Sequence, residues 1–506
     1  MGMAKRPNIL FLLSDQHATK VAGCYGDPLG ATPNIDRIAG RGVTFDNAYC
    51  ASPICTPSRM SLLTGRWPHR QSCWTLEDQL ASDLPTYAHA LGAAGYRTIL
   101  AGRMHSIGPD QLHGFSERHV GDCSPNWLGA GRQDLGILAG AQGPSVPSAG
   151  GEPTPAVSIR NSGRGQSGYE IVDDAATDAA CSRLEELGAE CAAGSGRPFL
   201  LAVGFILPHC PFVARAEDYD LFESKVGPPE LPRPHPAEEH PWLVKWRRHS
   251  GCENADPADV IRARTAYYGL VHALDRKIGR ILDALDEAGF GDDTLVVYAS
   301  DHGEQAGERD LWWKNTFYEE SVRVPLVMSW PGKLPEGERR AQVVNLIDVN
   351  ATILQAAGAP PLPRSNARNL LPIAANGNAP WDNETFSEYV TDLSSVWTGP
   401  EATCQRMLRS GRYKYVHVDG YQPQLFDLES DPSESRDLGD DPAYAQVRQR
   451  LAARVLDGWD PKRIRSEVDL RCDEKAILRQ WGQKTNPPSR YQFRITADDS
   501  WLEPHG

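Results

Sequence analysis

The run Cys55-Thr56-Pro57-Ser58-Arg59 gathers reactive side chains more tightly than any other part of this sequence. Proline is tolerated in the first turn of a helix, where its missing N–H costs no intrahelical bond, so Pro57 predicts a helix beginning near Cys55. A cysteine at that end lies in the positive half of the helix dipole, which lowers a thiol pKa and favours anions nearby. Read alone, the same residue is equally a buried structural thiol. Two other positions could supply oxygen ligands to a hard cation: Asp15, closing the apolar run 8–13, and Asp301, which with His302 closes the run 294–299. Strand ends of a doubly wound sheet gather at one edge, so residues far apart in the chain can meet there. For either aspartate alone, a turn or a helix cap is the plainer role.

Such a meeting needs a scaffold. Residues 8–13 read as a buried parallel strand and 198–205 as a buried strand, with further strands at 43–49, 97–100, 294–299 and 324–329. Between them, helices are expected from Thr32-Pro33-Asn34, from Leu84-Pro85-Thr86 to Ala94, over 170–187 and 260–288, and closing at 353–357. This alternation predicts an α/β fold: a large mixed, mainly parallel sheet flanked by helices on both faces. Residues 128–168, rich in Gly, Ser, Pro and Ala, read as a long loop or lid. From Thr385 short strands (385–390, 413–418), an acidic turn-rich stretch (427–441) and a helix (444–456) predict a smaller C-terminal α+β subdomain. The division expected is 1–375 for the main domain and 376–506 for a subdomain that completes the pocket. The tail after Pro461 reads as polar and Trp-dotted.

The pentapeptide at 55–59 matches the C-x-P-S-R modification signature of sulfatases, and the resemblance continues along most of the chain. Pro7-Asn8-Ile9-Leu10 leading to Ser14-Asp15-Gln16, Thr32-Pro33-Asn34-Ile35-Asp36 and Gly42-Val43-Thr44-Phe45 are similar to segments of that family. So are Gly102-Arg103-Met104-His105, Pro208-His209-Cys210-Pro211, Ser300-Asp301-His302-Gly303-Glu304, Trp313-Lys314, Tyr413-Lys414-Tyr415 and Leu425-Phe426-Asp427-Leu428, all in the family's order. The resemblance implies hydrolysis of a small-molecule sulfate ester by formylglycine, made from Cys55 by a formylglycine-generating enzyme. It implies one divalent cation held by Asp15, Gln16, residue 55, Asp301 and His302. Gln16 and His302 make that set less anionic than an all-carboxylate one, which suits Ca²⁺ and leaves Mn²⁺ as the alternative. Arg59 and Lys314 are then expected to face the sulfate, with Lys314 or His209 protonating the departing oxygen and His105 deprotonating a hydroxyl of residue 55. Arg103 stands where such sulfatases usually carry Lys, replacing a compact ammonium by a planar fork.

Residues 101–115, Ser124-Pro125-Asn126-Trp127 and Trp312-Trp313-Lys314 look most like choline sulfatases and related arylsulfatase-like enzymes. On that resemblance Trp127 could face a quaternary ammonium and Glu388 neutralise it, although a lid-loop Trp also serves as ordinary packing. His113 is a further pocket candidate, and His69 is expected to be structural. The alcohol stays open among choline-like, aryl and sugar esters. Two other readings stand beside this one: a phosphonate monoester or phosphodiester hydrolase on the same scaffold, and a non-catalytic anion- or metal-binding protein in which Cys55 remains a thiol.

The 506 residues carry a formal charge of −14, from 52 basic and 66 acidic side chains, with no Lys/Arg-rich block. Neither nucleic acid nor an anionic membrane is an expected partner. Eleven cysteines, an odd number without CxxC spacing, argue against a disulfide framework and for a reduced, cytoplasmic setting. No apolar stretch is long enough to span a membrane. Homo-oligomerisation is left open.

Overall fold

The computed structural model describes residues 6–130, 133–141, 154–235, 238–392 and 401–504. Its centre is set by strands whose sequences are apolar at nearly every position. Asn8–Ser14 and Thr294–Ser300 are buried along their whole length, as strands covered on both faces must be. They lie side by side in an eight-stranded sheet. From one edge the order is Glu338–Asn345, Val43–Tyr49, Leu326–Ser329, Thr294–Ser300, Asn8–Ser14, Phe199–Gly204, Arg97–Gly102 and Glu117–His119. Leu326–Ser329 runs antiparallel to its two neighbours, and the other pairings are parallel. The long helices Gly168–Ala192 and Pro257–Glu287 pack on each other, the first also on the sheet, while Cys55–Thr64, Tyr87–Ala93 and Asp348–Ala356 form a second helical layer. The expected α/β architecture is therefore the observed one.

Part of the expected loop at 128–168 lies outside the described residues. The rest is not all loop: a helix at Thr154–Arg160 precedes a short strand, Gly163–Gln166. That strand pairs with Val213–Ala214 and with Trp501–Leu502, bringing the end of the chain back onto the main body.

A second, antiparallel sheet is built from Glu384–Thr391, Thr403–Ser410, Tyr413–Val418 and Gln424–Asp427. The strand Thr403–Ser410 was not expected, because its polar residues hide the two-residue hydrophobic period. They are buried all the same: Arg406 lies 4.1 Å over the Phe386 ring and pairs with Glu388. The helix Pro461–Thr485 is likewise a correction to the polar tail. Asp460 caps it by accepting from the N–H groups of Lys462 and Arg463, and Pro461 starts its first turn. Its buried positions include Ile464 and Val468 but also Lys475 and Gly482, so its apolar stripe is too thin to read from sequence.

Lys475 fastens this helix to the rest of the protein. Its ammonium lies 2.7 Å from Asp78 and 3.1 Å from Asp392, and donates to Thr75 Oγ1 at 2.9 Å. Removing the cation leaves two buried carboxylates facing each other, at a cost of about 3 kcal/mol. We expect Lys475→Met to lower the denaturation midpoint accordingly, whereas Leu470→Ala, on the exposed side of the same helix, shifts stability by less than about 0.5 kcal/mol. Equal effects in urea titrations would contradict this account.

Candidate active site

Sheet register brings distant residues together. Ser14 pairs with Ser300, Leu13 with Gly204, and Gly102 with Gly204, so Asp15, Asp301, Arg103 and Phe205 leave neighbouring strands at one edge. The Asp301 N–H donates to Ser14 O at 3.2 Å, and the Arg103 N–H to Gly204 O at 2.7 Å. Glycine is required at this crossing. A Cβ on Gly204 would fall 1.7 Å from Arg103 O, and Gly102 has φ +80°.

The helix Cys55–Thr64 begins over this edge with all ten residues buried. Ser58 Oγ donates to Asp301 O at 2.6 Å, and Arg59 reaches past it. The Arg59 Nε donates to Asp301 Oδ2 at 2.7 Å, and Nη2 to Asp15 Oδ2 at 3.2 Å. Its remaining contacts include the carbonyls of Arg103, Ser14 and Phe205. Arg59 thus stands behind the two carboxylates and holds them, which differs from the expectation that it faces the sulfate.

With their Oδ2 atoms held, the carboxylates turn Oδ1 inward. His302 Nε2 lies 3.5 Å from both Oδ1 atoms and 3.1 Å from Cys55 Sγ, and Cys55 Sγ lies 3.4 Å from Asp15 Oδ1. The four ligand atoms of Asp15, Cys55, Asp301 and His302 fall within 4.8 Å of one another. His302 Nδ1–H donates to Gly303 O at 3.0 Å, leaving the Nε2 lone pair toward the cluster. Burial holds His302 neutral, with its pKa down at about 4, against the pull of Asp301. Burial works to raise the Asp15 pKa, yet Arg103, His209, Arg59 and Lys314 together hold it well below the carboxylate range. Two carboxylate oxygens and a neutral imidazole nitrogen, converging in a buried space, are a donor set that fits a divalent cation.

Cys55 itself is not activated. Burial, reinforced by Asp15, pushes its thiol up to about 12, with Lys314 opposing. The lowering expected from the helix end is overridden by desolvation. Lys314 Nζ lies 3.5 Å from Cys55 Sγ and donates to Gln16 Oε1 at 2.6 Å, and Gln16 N–H donates to Asp301 Oδ1 at 3.1 Å.

Arg103 organises the other side. It donates from Nε to Asp15 Oδ2 at 2.8 Å, from Nη1 to Asp122 Oδ1 at 3.0 Å and to Ser124 Oγ at 3.1 Å, and from Nη2 to His105 Nδ1 at 2.8 Å. A guanidinium has no acceptor, so His105 Nδ1 is the accepting nitrogen and the proton sits on Nε2. Burial and Arg103 drive the His105 pKa down to about 3. Asp122, absent from the sequence-based set, also accepts the His105 N–H at 2.9 Å. Its one sequence signal is its place just beyond the short edge strand Glu117–His119, whose neighbour Arg97–Gly102 leads directly into Arg103. His209 has the opposite tautomer: Nδ1–H donates to Cys210 O at 2.6 Å. Burial, then Lys314, holds it well below its ordinary value. Glu304, inside a recognised motif but not singled out, accepts from Gln16, Ala306 and Trp313.

The three substrate-pocket candidates are engaged elsewhere. Glu388 is buried and accepts from His69 N–H at 3.1 Å and Nδ1 at 2.6 Å, with Arg406 Nε at 3.4 Å. His69 is thereby bound to the C-terminal sheet through Glu388. Trp127 Nε1–H donates to Pro488 O at 3.2 Å, and its ring meets Trp481 edge-on at 5.1 Å. His113 is buried with Nδ1 3.3 Å from Asp110.

Comparison with known proteins agrees with this geometry. A family model described as Sulfatase matches residues 7–359, and one described as N-sulphoglucosamine sulphohydrolase, C-terminal, matches residues 307–459. Choline-sulfatase of Rhizobium meliloti (strain 1021) is 34% identical over 456 residues, covering 86% of this chain and 83% of that protein. The multifunctional alkaline phosphatase superfamily protein PehA of Trinickia caryophylli is 30% identical over 515 residues, covering 89% and 95%. Among solved structures, the phosphonate monoester hydrolase SpPMH from Silicibacter pomeroyi superposes with a TM-score of 0.70 at 27% identity, covering 90% of this chain and 95% of that one. The chain belongs to the sulfatase family and is a sulfuric ester hydrolase. All eleven cysteines are free, and among the described residues no helix is long and apolar enough to cross a membrane.

The His105 tautomer can be checked directly. In ¹⁵N–¹H spectra, His105 should carry its proton on Nε2, with Nδ1 as acceptor, and stay neutral from pH 8 to pH 5, because its pKa lies near 3 rather than 6.5. A protonated Nδ1, or a midpoint near 6.5, would contradict the Arg103 contact.

Proposed function

We propose that this enzyme hydrolyses a sulfate monoester with a formylglycine made from Cys55 by a formylglycine-generating enzyme, releasing sulfate and an alcohol. The observation that supports the reading is the meeting of Cys55 with Asp15, Asp301 and His302 at one strand edge. A thiol held near pKa 12 is protonated and a poor nucleophile, which favours a modified residue 55 over a cysteine mechanism. Asp15, Gln16, residue 55, Asp301 and His302 would hold a divalent cation, Ca²⁺ with Mn²⁺ as alternative, which when bound would supply Lewis-acid polarisation of the sulfate oxygens and of a residue 55 hydroxyl.

Everything else is done by side chains of this chain. Arg59 helps keep Asp15 ionised and aims both carboxylates. Lys314, beside residue 55, neutralises the sulfate and is the acid for the departing oxygen. Asp15, Asp301 and Asp122 balance Arg59, Arg103 and Lys314, so a bound divalent cation would supply the excess positive charge that suits an anionic ester. His105 was expected to act as base, but its free nitrogen bears the proton, so it donates a hydrogen bond instead. The base in this reading is His209, whose Nε2 carries the lone pair.

A phosphonate monoester hydrolase is the second reading, favoured by the likeness to SpPMH. Matched aryl sulfate and aryl phosphonate monoesters decide between them, since kcat/KM reports which transition state is better bound. We expect the sulfate to be preferred, Cys55→Ala to lose more than about 10³-fold in kcat, and peptide mass spectrometry to find formylglycine at position 55. An unmodified thiol in a fully active preparation would overturn the mechanism.

A further inference from the structure

Gln16 follows the first strand with φ 73°, a backbone conformation uncommon for a side chain of its kind. Its amide lies between opposite charges. Lys314 Nζ is 2.6 Å from Oε1, and Glu304 Oε2 is 2.5 Å from Nε2. An ammonium has donors only and a carboxylate accepts, so one orientation of the amide satisfies both neighbours.

Glu304 is buried and fully used. Its Oε1 accepts the N–H groups of Trp313 at 2.6 Å and Ala306 at 2.7 Å, which leaves Oε2 turned to Gln16. Trp313 immediately precedes Lys314. The same carboxylate therefore anchors the loop that carries the ammonium and the amide that meets it. Gln16 N–H in turn donates to Asp301 Oδ1 at 3.1 Å, and Tyr267 Oη donates to Gln16 O at 2.7 Å, so backbone and side chain are fixed together.

The geometry points to Glu304 as a positioning residue that sets the Gln16 amide, holding its oxygen on Lys314, whose ammonium also lies 3.5 Å from Cys55 Sγ, on the side where a cation ligand is needed. Glu304→Gln places an NH₂ against the NH₂ of Gln16. Either amide can flip, but a flipped Gln16 sets its NH₂ against Lys314, and a flipped amide at position 304 sets its NH₂ against two backbone N–H groups. A buried mismatch of two donors follows in each case. Exchanging the two residues removes it. In Glu304→Gln with Gln16→Glu, the carboxylate at position 16 accepts from Lys314 and from the new amide, whose oxygen keeps the two backbone N–H groups.

This inference rests on the proposed reading only in taking the Cys55 cluster as a cation site. The test is Mn²⁺ affinity, by competition with a chelator, for the whole wild-type protein, E304Q, Q16E and the double variant, with kcat/KM for an aryl sulfate alongside. E304Q should weaken Mn²⁺ binding by about ten- to hundredfold, and the double variant should recover most of that loss. Undiminished binding in E304Q, or a double variant no better than E304Q, overturns the inference. Should E304Q alone fail to fold, a folded, Mn²⁺-binding double variant supports it and an unfolded one overturns it. Failure of the formylglycine mechanism would appear differently, as full turnover by wild-type protein with an unmodified Cys55, the Mn²⁺ pattern of the four proteins staying intact.

Discussion

Asp15, Asp301 and Arg59 lie out of contact with solvent, and Arg103 is nearly so. Burying a charge costs several kcal/mol unless it is paired with good geometry, so this group stands or falls together. The guanidinium of Arg59 takes one oxygen of each aspartate and that of Arg103 takes a second contact on Asp15. The consequence is directional. Because the outer oxygens are held, the inner oxygens face one another and the His302 imidazole, where two like charges repel and a cation would relieve them. Sheet register makes this arrangement unavoidable, since Ser14 and Ser300 are paired and the aspartates follow them directly.

Proton positions follow from the same guanidiniums. Arginine stays charged and only donates, so every group that Arg103 touches must accept. That places the His105 proton on Nε2 and keeps Asp122 ionised. A lysine in place of Arg103 could not reach Asp15, Asp122 and His105 with one planar fork. The substitution that separates this chain from the usual pattern is thus coupled to Asp122, and the two residues are best read as one unit that orients His105.

The sheet and the Cys55 motif were legible in the sequence for physical reasons. Uniformly apolar strands such as 8–13 and 294–299 admit few alternatives, and Pro57 fixes where its helix can begin. What escaped were contacts made by polar groups in buried places. Asp122 looks like any turn aspartate until Arg103 is seen beside it. Arg406 makes the strand Thr403–Ser410 look exposed although the residue stacks on Phe386. The thiol pKa went the other way because sequence shows the helix end but not the depth of burial. Glu388 was read as a counter-charge to a quaternary ammonium, and its contacts with His69 and Arg406 are not visible in the sequence.

That last point bears on the alcohol. A quaternary ammonium requires an anion or an open aromatic face, and the expected anion already accepts from His69 and faces the Arg406 guanidinium. Trp127 is tied instead to the C-terminal helix. Its loop packs there so closely that a Cβ on Gly482 would lie 2.1 Å from Leu128 O, and one on Gly129 2.3 Å from Arg479 O. The other end of the loop, Ser124, accepts from Arg103. A single short segment therefore connects the charged edge of the sheet to the helix Pro461–Thr485. Packing of that helix, rather than a lone aromatic contact, is what fixes where the wall beside Arg103 stands.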